Sequence, residues 1–185
     1  QQNGTYLKNT EGQYGPDIFT EYICDYIERK KDDPFFVYYP MALTHGPFQP
    51  TPHSDVWPEK RHDNGVAYFK DMVEYMDVVI GRIVKKLDDL EIRENTLVMF
   101  IGDNGSPREV TSLLNGKPFQ GGKGYSTDAG TRVPFVANWL GTTPEDVVTD
   151  DLVDCSDFLD TMMDLAGASL PEDDVFDGVS FAPQL

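Results

Sequence analysis

The amino-acid sequence predicts an α/β domain in which a mostly parallel sheet is flanked by helices on both faces. Short apolar runs of strand length alternate with longer stretches whose apolar residues recur every three or four positions. Proline, glycine and aspartate separate these segments. Because parallel strands must be joined by crossovers, this alternation favours a parallel sheet, and 185 residues suffice for one domain with a sizeable core.

The first two predicted elements are a helix and a strand. Residues 17–31 place isoleucine and tyrosine side chains on one face, and Asp17 is suited to cap the helix. An Asp-Asp-Pro breaker ends this helix. The run FFVYYP at residues 35–40 then predicts a short strand that is covered on both faces.

The later elements continue the alternation. Residues 65–90 carry methionine, valine and isoleucine at helical spacing and predict a long helix. TLVMFI at 96–101 and VPFVANW at 133–139 predict two further buried strands. A last helix is expected over 156–166, with its apolar residues, including Leu159, facing inward.

Charge and composition exclude several classes of partner. The chain has 15 Lys and Arg residues against 32 Asp and Glu, a formal charge of −17, so it repels nucleic acid and no such partner is expected. It contains no apolar run of about 18 residues, so no membrane span is expected. Cys24 and Cys155 have neither zinc nor CxxC spacing, and each is expected to be a small core residue.

A candidate catalytic group follows the first predicted strand. Ligands of parallel sheets gather beyond the carboxyl ends of the strands, and His45 lies there, between Thr44 and a Gly-Pro turn. An imidazole in this position can protonate a leaving oxygen or donate a hydrogen bond to an anion. Taken alone, a residue in this position is more often a loop histidine that makes a structural hydrogen bond.

The second predicted strand ends in Gly-Asp-Asn-Gly. Asp103 and Asn104 offer a carboxylate and an amide carbonyl, which are oxygen ligands suited to Ca²⁺ or Mg²⁺. The alternative is an Asp-Asn-Gly hairpin turn. No second strand of matching length is expected in residues 106–124, which counts against the turn.

A glycine-rich stretch supplies a cation. Lys123 lies in QGGKG, where glycines allow the backbone to approach an oxyanion closely. The GxxxxGK[ST] spacing of a Walker motif is absent. Arg132 is either a second anion contact or the partner of an acid within the fold.

Together these stretches resemble a known family. FFVYYPMALTHGPFQP, VMFIGDNG, GGKGYSTDAGTRVP and FDGVS occur in an order and at a spacing similar to those of the sulfatase family, of the arylsulfatase type within the alkaline-phosphatase-like superfamily. The resemblance extends over nearly the whole chain. It implies an alkaline-phosphatase-like sandwich that is incomplete here.

The resemblance also implies roles for individual residues. Asp103 and Asn104 match the pair that ligates Ca²⁺, which is expected in preference to Mg²⁺. Lys123 matches the lysine that contacts the sulfate and its bridging oxygen. His45 matches the histidine that contacts the sulfate and protonates the leaving alcohol. The hairpin-turn interpretation of Gly-Asp-Asn-Gly is correspondingly disfavoured.

The departures from the family pattern are equally informative. The Cys-or-Ser-x-Pro-x-Arg motif, whose first residue becomes the formylglycine nucleophile, is absent, and neither Cys24 nor Cys155 fits it. The early paired aspartates that complete the calcium shell are also absent. We therefore expect residues 1–185 to match the latter part of a catalytic domain, without the nucleophile-bearing part and the small C-terminal subdomain, and to be inactive in isolation.

Partners and alternatives follow from this expectation. The substrate is expected to be a small-molecule or carbohydrate sulfate ester, and the compartment to be extracytoplasmic. An incomplete sheet would need the missing half of the domain or a second copy to cover it. The alternatives are a phosphate or phosphonate ester hydrolase of the same superfamily and a non-catalytic binding or assembly module.

Overall fold

The computed structural model describes residues 1–171 and 173–185, which divide into two compact units. The first unit comprises Gln1–Arg93 and Ile101–Pro134, and the second comprises Glu94–Phe100 and Phe135–Leu185. The helices are α1 (Gly15–Lys30), α2 (Phe69–Asp89), α3 (Asp128–Thr131) and α4 (Asp157–Leu165). The strands are β1 (Val98–Ile101), β2 (Thr111–Leu114), β3 (Lys117–Gln120) and β4 (Phe135–Asn138). Short 3₁₀ turns lie at Val66–Tyr68, Arg93–Asn95 and Ala182–Gln184.

Helix α1 confirms the first predicted helix but not its cap. The cap residue is Tyr14, and Pro16 occupies the first turn, where its missing N–H costs nothing. The Asp17 carboxylate instead accepts a hydrogen bond of 2.8 Å from the Tyr75 hydroxyl and pairs with Arg82. The predicted cap is therefore wrong, because a charged partner on α2 takes up the carboxylate.

Helix α2 confirms the long predicted helix and forms the core of the first unit. Its Met72, Tyr75 and Val79 are buried. The loop after residue 40 folds back onto the helix, so that the Phe48 and Phe69 rings meet edge to face at 5.4 Å. Apolar burial along one stripe of the helix therefore orders a proline-rich loop that has no regular structure of its own.

The strand predicted over residues 35–40 is absent. The run is extended without a ladder, and its side chains alternate between half-buried and exposed, with Phe36 at 64% and Tyr38 at 80% exposure. A strand needs a hydrogen-bonded neighbour, and none of the described residues pairs with this run. The predicted strand and its coverage on both faces are therefore both wrong.

The strands form two small sheets. In the second unit β1 pairs with β4, which confirms the other two predicted strands. In the first unit β2 and β3 form an antiparallel hairpin that was not predicted, and its turn is Asn115-Gly116, both with positive φ. The mostly parallel sheet covered on both faces is thus not confirmed. No helix among the described residues has the length and apolarity to cross a membrane.

Helix α4 organises the second unit. Its start and end match the prediction, but Leu159 is 47% exposed, so its predicted inward orientation is wrong, and Thr161 is buried instead. The rings of Phe135, Phe158 and Phe181 pack edge to face, with centroids 5.3 to 5.4 Å apart. Packing of the aromatic rings, rather than apolar periodicity alone, therefore decides which side of this short helix is buried.

Residues 179–181, near the end of the sequence, are hydrogen-bonded to α4. The Val179 N–H donates to Asp157 Oδ1 at 2.8 Å, and the Ser180 hydroxyl donates to Asp164 Oδ2 at 2.8 Å. The Phe181 N–H donates to Thr161 Oγ1 at 2.9 Å. The FDGVS stretch at residues 176–180 thus has a structural role.

The cysteines differ from each other in burial. Cys155 is exposed, so the expectation of a core position is wrong for it. Cys24 is half-buried, with its sulfur 3.9 Å from the Arg82 carbonyl oxygen. Its small side chain packs between α1 and α2, as expected.

We predict that Thr161→Val destabilises the protein. Thr161 Oγ1 donates to the Asp157 carbonyl at 2.7 Å and accepts from the Phe181 N–H, so valine leaves a buried N–H unpaired, at a cost of about 1–3 kcal/mol. Urea unfolding measures the change. The control is Thr131→Val, which removes a hydroxyl bonded to the Thr127 carbonyl at an exposed position and should cost less than about 0.5 kcal/mol. Equal losses for the two variants would contradict the prediction.

Candidate active site

Two loops of the first unit, which carry Asp103-Asn104 and Lys123, are joined by main-chain hydrogen bonds. The Gly105 N–H donates to the Gly130 carbonyl at 2.9 Å, and the Lys123 N–H donates to the Ser106 carbonyl at 3.0 Å. The Gly122 N–H closes the second loop by donating to the Ala129 carbonyl at 3.1 Å. The structure therefore brings together two of the three stretches that the sequence singled out.

The glycine content of the second loop is a packing requirement. A Cβ atom on Gly130 would overlap the Tyr125 carbonyl oxygen and lie 2.6 Å from that of Gly122. Real Cβ atoms do not approach backbone oxygens this closely, so any side chain at Gly130 would push the loop away from Gly105. The glycines hold Lys123 next to the segment that follows β1.

Asp103 and Asn104 present two unused oxygen ligands. The Asp103 carboxylate is exposed and makes no hydrogen bond or ion pair with the described residues. Asn104 is half-buried, and its Nδ2 donates to the Gly105 carbonyl at 3.1 Å. Since that contact fixes the amide orientation, Oδ1 is left as the free atom. These donors fit a hard cation such as Ca²⁺, which takes about six to eight oxygen ligands.

The described residues do not complete such a shell. No group of three or more His, Cys, Asp or Glu side chains in this part of the chain is arranged to hold a metal ion. Asp103 and Asn104 therefore account for a minority of the ligands that Ca²⁺ requires.

Lys123 is positioned by a residue that the sequence analysis missed. Arg108 stacks on the Tyr125 ring with its Cζ 3.9 Å from the centroid, and its Nε donates a long hydrogen bond of 3.4 Å to the Lys123 carbonyl. The cation–π contact joins residues far apart in sequence, so no local pattern could have indicated it. Lys123 itself is half-buried and has no acidic partner among the described residues.

Arg132 has the structural role that the sequence analysis left open. Its Nε lies 3.5 Å from Asp128 Oδ1, and both side chains are mostly exposed. An exposed pair of this kind contributes little to stability. Arg132 is therefore paired within the fold.

His45 lies in a separate setting of the same unit. It is exposed, and its Nδ1 is 2.7 Å from the Gly46 carbonyl oxygen, so Nδ1 carries a proton and Nε2 is the free nitrogen. It lines a cavity of about 600 Å³. No hydrogen bond among the described residues joins His45 to Asn104 or Lys123, so its place beside them stays a prediction.

Comparison with known proteins decides the family. A family model described as Sulfatase matches residues 1–168 of the chain. The chain belongs to the sulfatase family. The arylsulfatase of Hemicentrotus pulcherrimus is 32% identical over 165 residues, and the N-acetylgalactosamine-6-sulfatase of Homo sapiens is 32% identical over 172 residues.

Two solved structures share the fold of this chain. The crystal structure of Ps i-CgsB superposes with a TM-score of 0.82 at 28% identity and covers 98% of this chain. A Bacteroides thetaiotaomicron protein, described in connection with the metabolism of multiple glycosaminoglycans, gives a TM-score of 0.73 at 25% identity over 91% of the chain.

This sulfatase chain spans only part of these relatives. It covers 28% of the Hemicentrotus pulcherrimus arylsulfatase, 32% of the human enzyme and 40% of Ps i-CgsB. The described residues of this chain contain two small sheets. The relatives are much longer proteins.

We predict that Gly130→Ala loosens the contact between the two loops. The added methyl group collides with the Tyr125 carbonyl, and overpacking of this kind costs about 1–3 kcal/mol. Amide chemical shifts of Gly105 and Lys123 report the displacement, and thermal unfolding reports the cost. Gly65→Ala is the control, because its new Cβ would meet only the Tyr68 ring at 3.9 Å, an ordinary contact. Unchanged Gly105 and Lys123 shifts in Gly130→Ala would refute the prediction.

Proposed function

We propose that this chain supplies the cation- and sulfate-binding part of an active site that hydrolyses sulfate monoesters. The observation that carries the proposal is that main-chain hydrogen bonds hold the loop with the unused Asp103 and Asn104 oxygens beside the Lys123 loop. The lysine thus provides a local positive charge in a chain of net charge −17. A site of this kind combines oxygen ligands for a divalent cation with an ammonium group. Membership of the sulfatase family supports sulfate as the anion.

The metal ligands in this chain are Asp103 and Asn104. They would hold Ca²⁺ through one carboxylate oxygen and the free Oδ1, with further ligands from outside the described set. Bound there, the ion would supply Lewis-acid neutralisation of charge on the sulfuryl oxygens. Residence outside the cytoplasm remains part of this proposal.

Lys123 and His45 act on the ester itself. The Lys123 ammonium stabilises negative charge that develops on the sulfate and its bridging oxygen, and its half-buried position limits competition from water. The hydrogen bond from His45 Nδ1–H to the Gly46 carbonyl fixes the ring and leaves Nε2 toward the ester. In the imidazolium form, with both nitrogens protonated, Nε2–H gives its proton to the leaving alcohol, and the ring is left neutral with Nδ1–H still bonded to Gly46. Charge stabilisation and leaving-group protonation thus fall to different side chains.

These groups do not include a nucleophile. Cys24 is half-buried between helices and Cys155 lies next to α4, and neither stands in a Cys-x-Pro-x-Arg sequence. The proposed reaction therefore needs the formylglycine nucleophile that the family resemblance implies, supplied from outside residues 1–185.

We predict that Asp103→Asn weakens both Ca²⁺ binding and turnover in the full native protein. Loss of a charged ligand should lower Ca²⁺ affinity by about 10–100-fold, measured by calorimetry, with a parallel loss of aryl sulfate hydrolysis. Asp89→Asn, an exposed acid paired with Lys85, is the control and should change neither. The isolated 185-residue chain should lack turnover, since removal of a nucleophile costs about 10⁶ in rate in a comparable enzyme.

The outcomes distinguish the alternative functions. Hydrolysis of phosphate esters but not of sulfate esters would replace this proposal by the related phosphoesterase. Absence of hydrolysis for both ester types in the full native protein would favour a binding module. Sustained Ca²⁺-dependent turnover by the isolated chain would overturn the assignment of the nucleophile to other residues.

We also propose that the extended run at residues 35–39 is covered by the rest of the domain or by a second copy. Its exposed Phe36 and Tyr38 alternate with half-buried residues, so one side of this unpaired run presents apolar side chains to solvent. Apolar surface of this kind promotes association.

We predict that Phe36→Ser together with Tyr38→Ser reduces self-association of the isolated chain. Sedimentation velocity should show oligomers for the parent sequence and mainly monomer for the double variant. The control is Val147→Ser with Val148→Ser, which changes two exposed apolar residues elsewhere, at 59% and 94% exposure. A parent chain that is monomeric at high concentration with a cooperative melt would contradict the proposal.

A further inference from the structure

The cavity beside His45 has a composition that the proposed chemistry does not require. It has a volume of about 600 Å³, within the range of pockets that hold drug-sized ligands. Its lining includes His45, Tyr14, Trp57, Arg61 and His62. A pocket that served only a sulfate group would need neither this volume nor this aromatic wall.

The cavity is locally basic in an acidic chain. Of the described residues that line it, none is Asp or Glu, whereas Arg61, His45 and His62 are basic types. Three acids are adjacent in sequence to lining residues: Asp17 to Pro16, Asp63 to His62 and Asp71 to Met72. The Asp17 carboxylate is engaged by Arg82 and Tyr75, that of Asp71 accepts a hydrogen bond from the Ser54 hydroxyl, and Asp63 is exposed. In a chain of formal charge −17, counted with histidine neutral, Arg61 is the one Lys or Arg among the described lining residues, and its guanidinium favours an anion in the cavity.

An aromatic pair holds the arginine in place. The Tyr14 and Trp57 rings meet edge to face at 5.5 Å, and the Arg61 guanidinium lies over the Trp57 ring, with Cζ 5.1 Å from the centroid. Arg61 Nη2 donates to the Gln13 carbonyl at 3.3 Å. These contacts fix the plane of the guanidinium and leave further N–H groups for a ligand.

Tyr14 adds a neutral donor to the same wall. Burial, followed by the nearby Asp17 charge, raises the pKa of Tyr14 to about 12. The hydroxyl therefore keeps its proton at physiological pH and can donate a hydrogen bond to a sugar oxygen. The cavity thus combines an aromatic surface, hydrogen-bond donors and a fixed cation.

We propose that this cavity binds the leaving group of a carbohydrate sulfate, and that Arg61 recognises a second anionic group on that sugar. The inference rests on the proposed function, because His45 belongs both to the proposed chemistry and to the wall of the cavity. If His45 Nε2 protonates the leaving oxygen, the leaving group lies in the cavity that His45 lines. Arginine favours carboxylate and sulfate through paired N–H contacts. A small aryl leaving group would use neither Arg61 nor most of the volume.

The test uses two disaccharides that differ in one group. Each carries the same sulfate ester, one has a uronic acid carboxylate, and the other has that carboxylate reduced to the alcohol. On the full native protein, calorimetry should show that the carboxylate form binds about tenfold more tightly. Arg61→Gln should abolish this preference, and Arg61→Lys should restore part of it.

Arg29→Gln is the matched control. Arg29 also lies over an aromatic ring, with Cζ 5.7 Å from the Tyr26 centroid, but it is on α1 and does not line the cavity. This variant should keep the tenfold preference. Equal binding of the two disaccharides to the unchanged protein, or an undiminished preference in Arg61→Gln, would overturn the inference.

Turnover separates this inference from the proposed function. A protein that hydrolyses aryl sulfate but shows no carboxylate preference overturns the cavity assignment alone. A protein that shows the preference but hydrolyses no sulfate ester supports the cavity assignment and overturns the proposed function. In an active protein, Arg61→Gln should lower the ratio of kcat/KM for the two disaccharides about tenfold.

Discussion

The candidate site depends on a close approach between two backbone segments. The Gly105 N–H reaches the Gly130 carbonyl, and the Lys123 N–H reaches the Ser106 carbonyl, at distances that leave no room for a side chain on Gly130. Unlike a contact between long, flexible side chains, a contact between two backbones fixes the separation of the two segments closely. Any chemistry that joins the Asp103-Asn104 oxygens to the Lys123 ammonium depends on this contact.

Among the described residues, the first unit has positive charge without acidic partners at the places that are proposed to bind an anion. A chain of net charge −17 would repel a sulfate ester, yet Lys123 has no acidic partner among the described residues, and the cavity beside His45 has no acidic lining residue there. Several other cations lie in ion pairs on the helices, such as Lys86 with Glu28. Positive charge is thus left uncompensated where an anion would bind.

Sequence periodicity predicted the helices better than the strands, for a physical reason. A helix satisfies its own hydrogen bonds and needs only one apolar stripe, so α1, α2 and α4 follow from spacing alone. A strand depends on a neighbour, and the run at 35–40 has none among the described residues. The β2–β3 hairpin has a local signal in Asn115-Gly116, but its two short, mostly exposed strands do not resemble the apolar runs of a buried sheet.

The sequence by itself determined the family and the chemical groups that are available: two oxygen ligands, an ammonium and an imidazole, in a fixed order along the chain. Only the tertiary structure decided how they are presented. It turned the Asn104 amide so that Oδ1 is free, placed Arg108 against Tyr125, and laid Arg61 over Trp57 above a cavity. These outcomes depend on contacts between atoms brought together by folding, and such contacts leave no periodic trace in the order of residues.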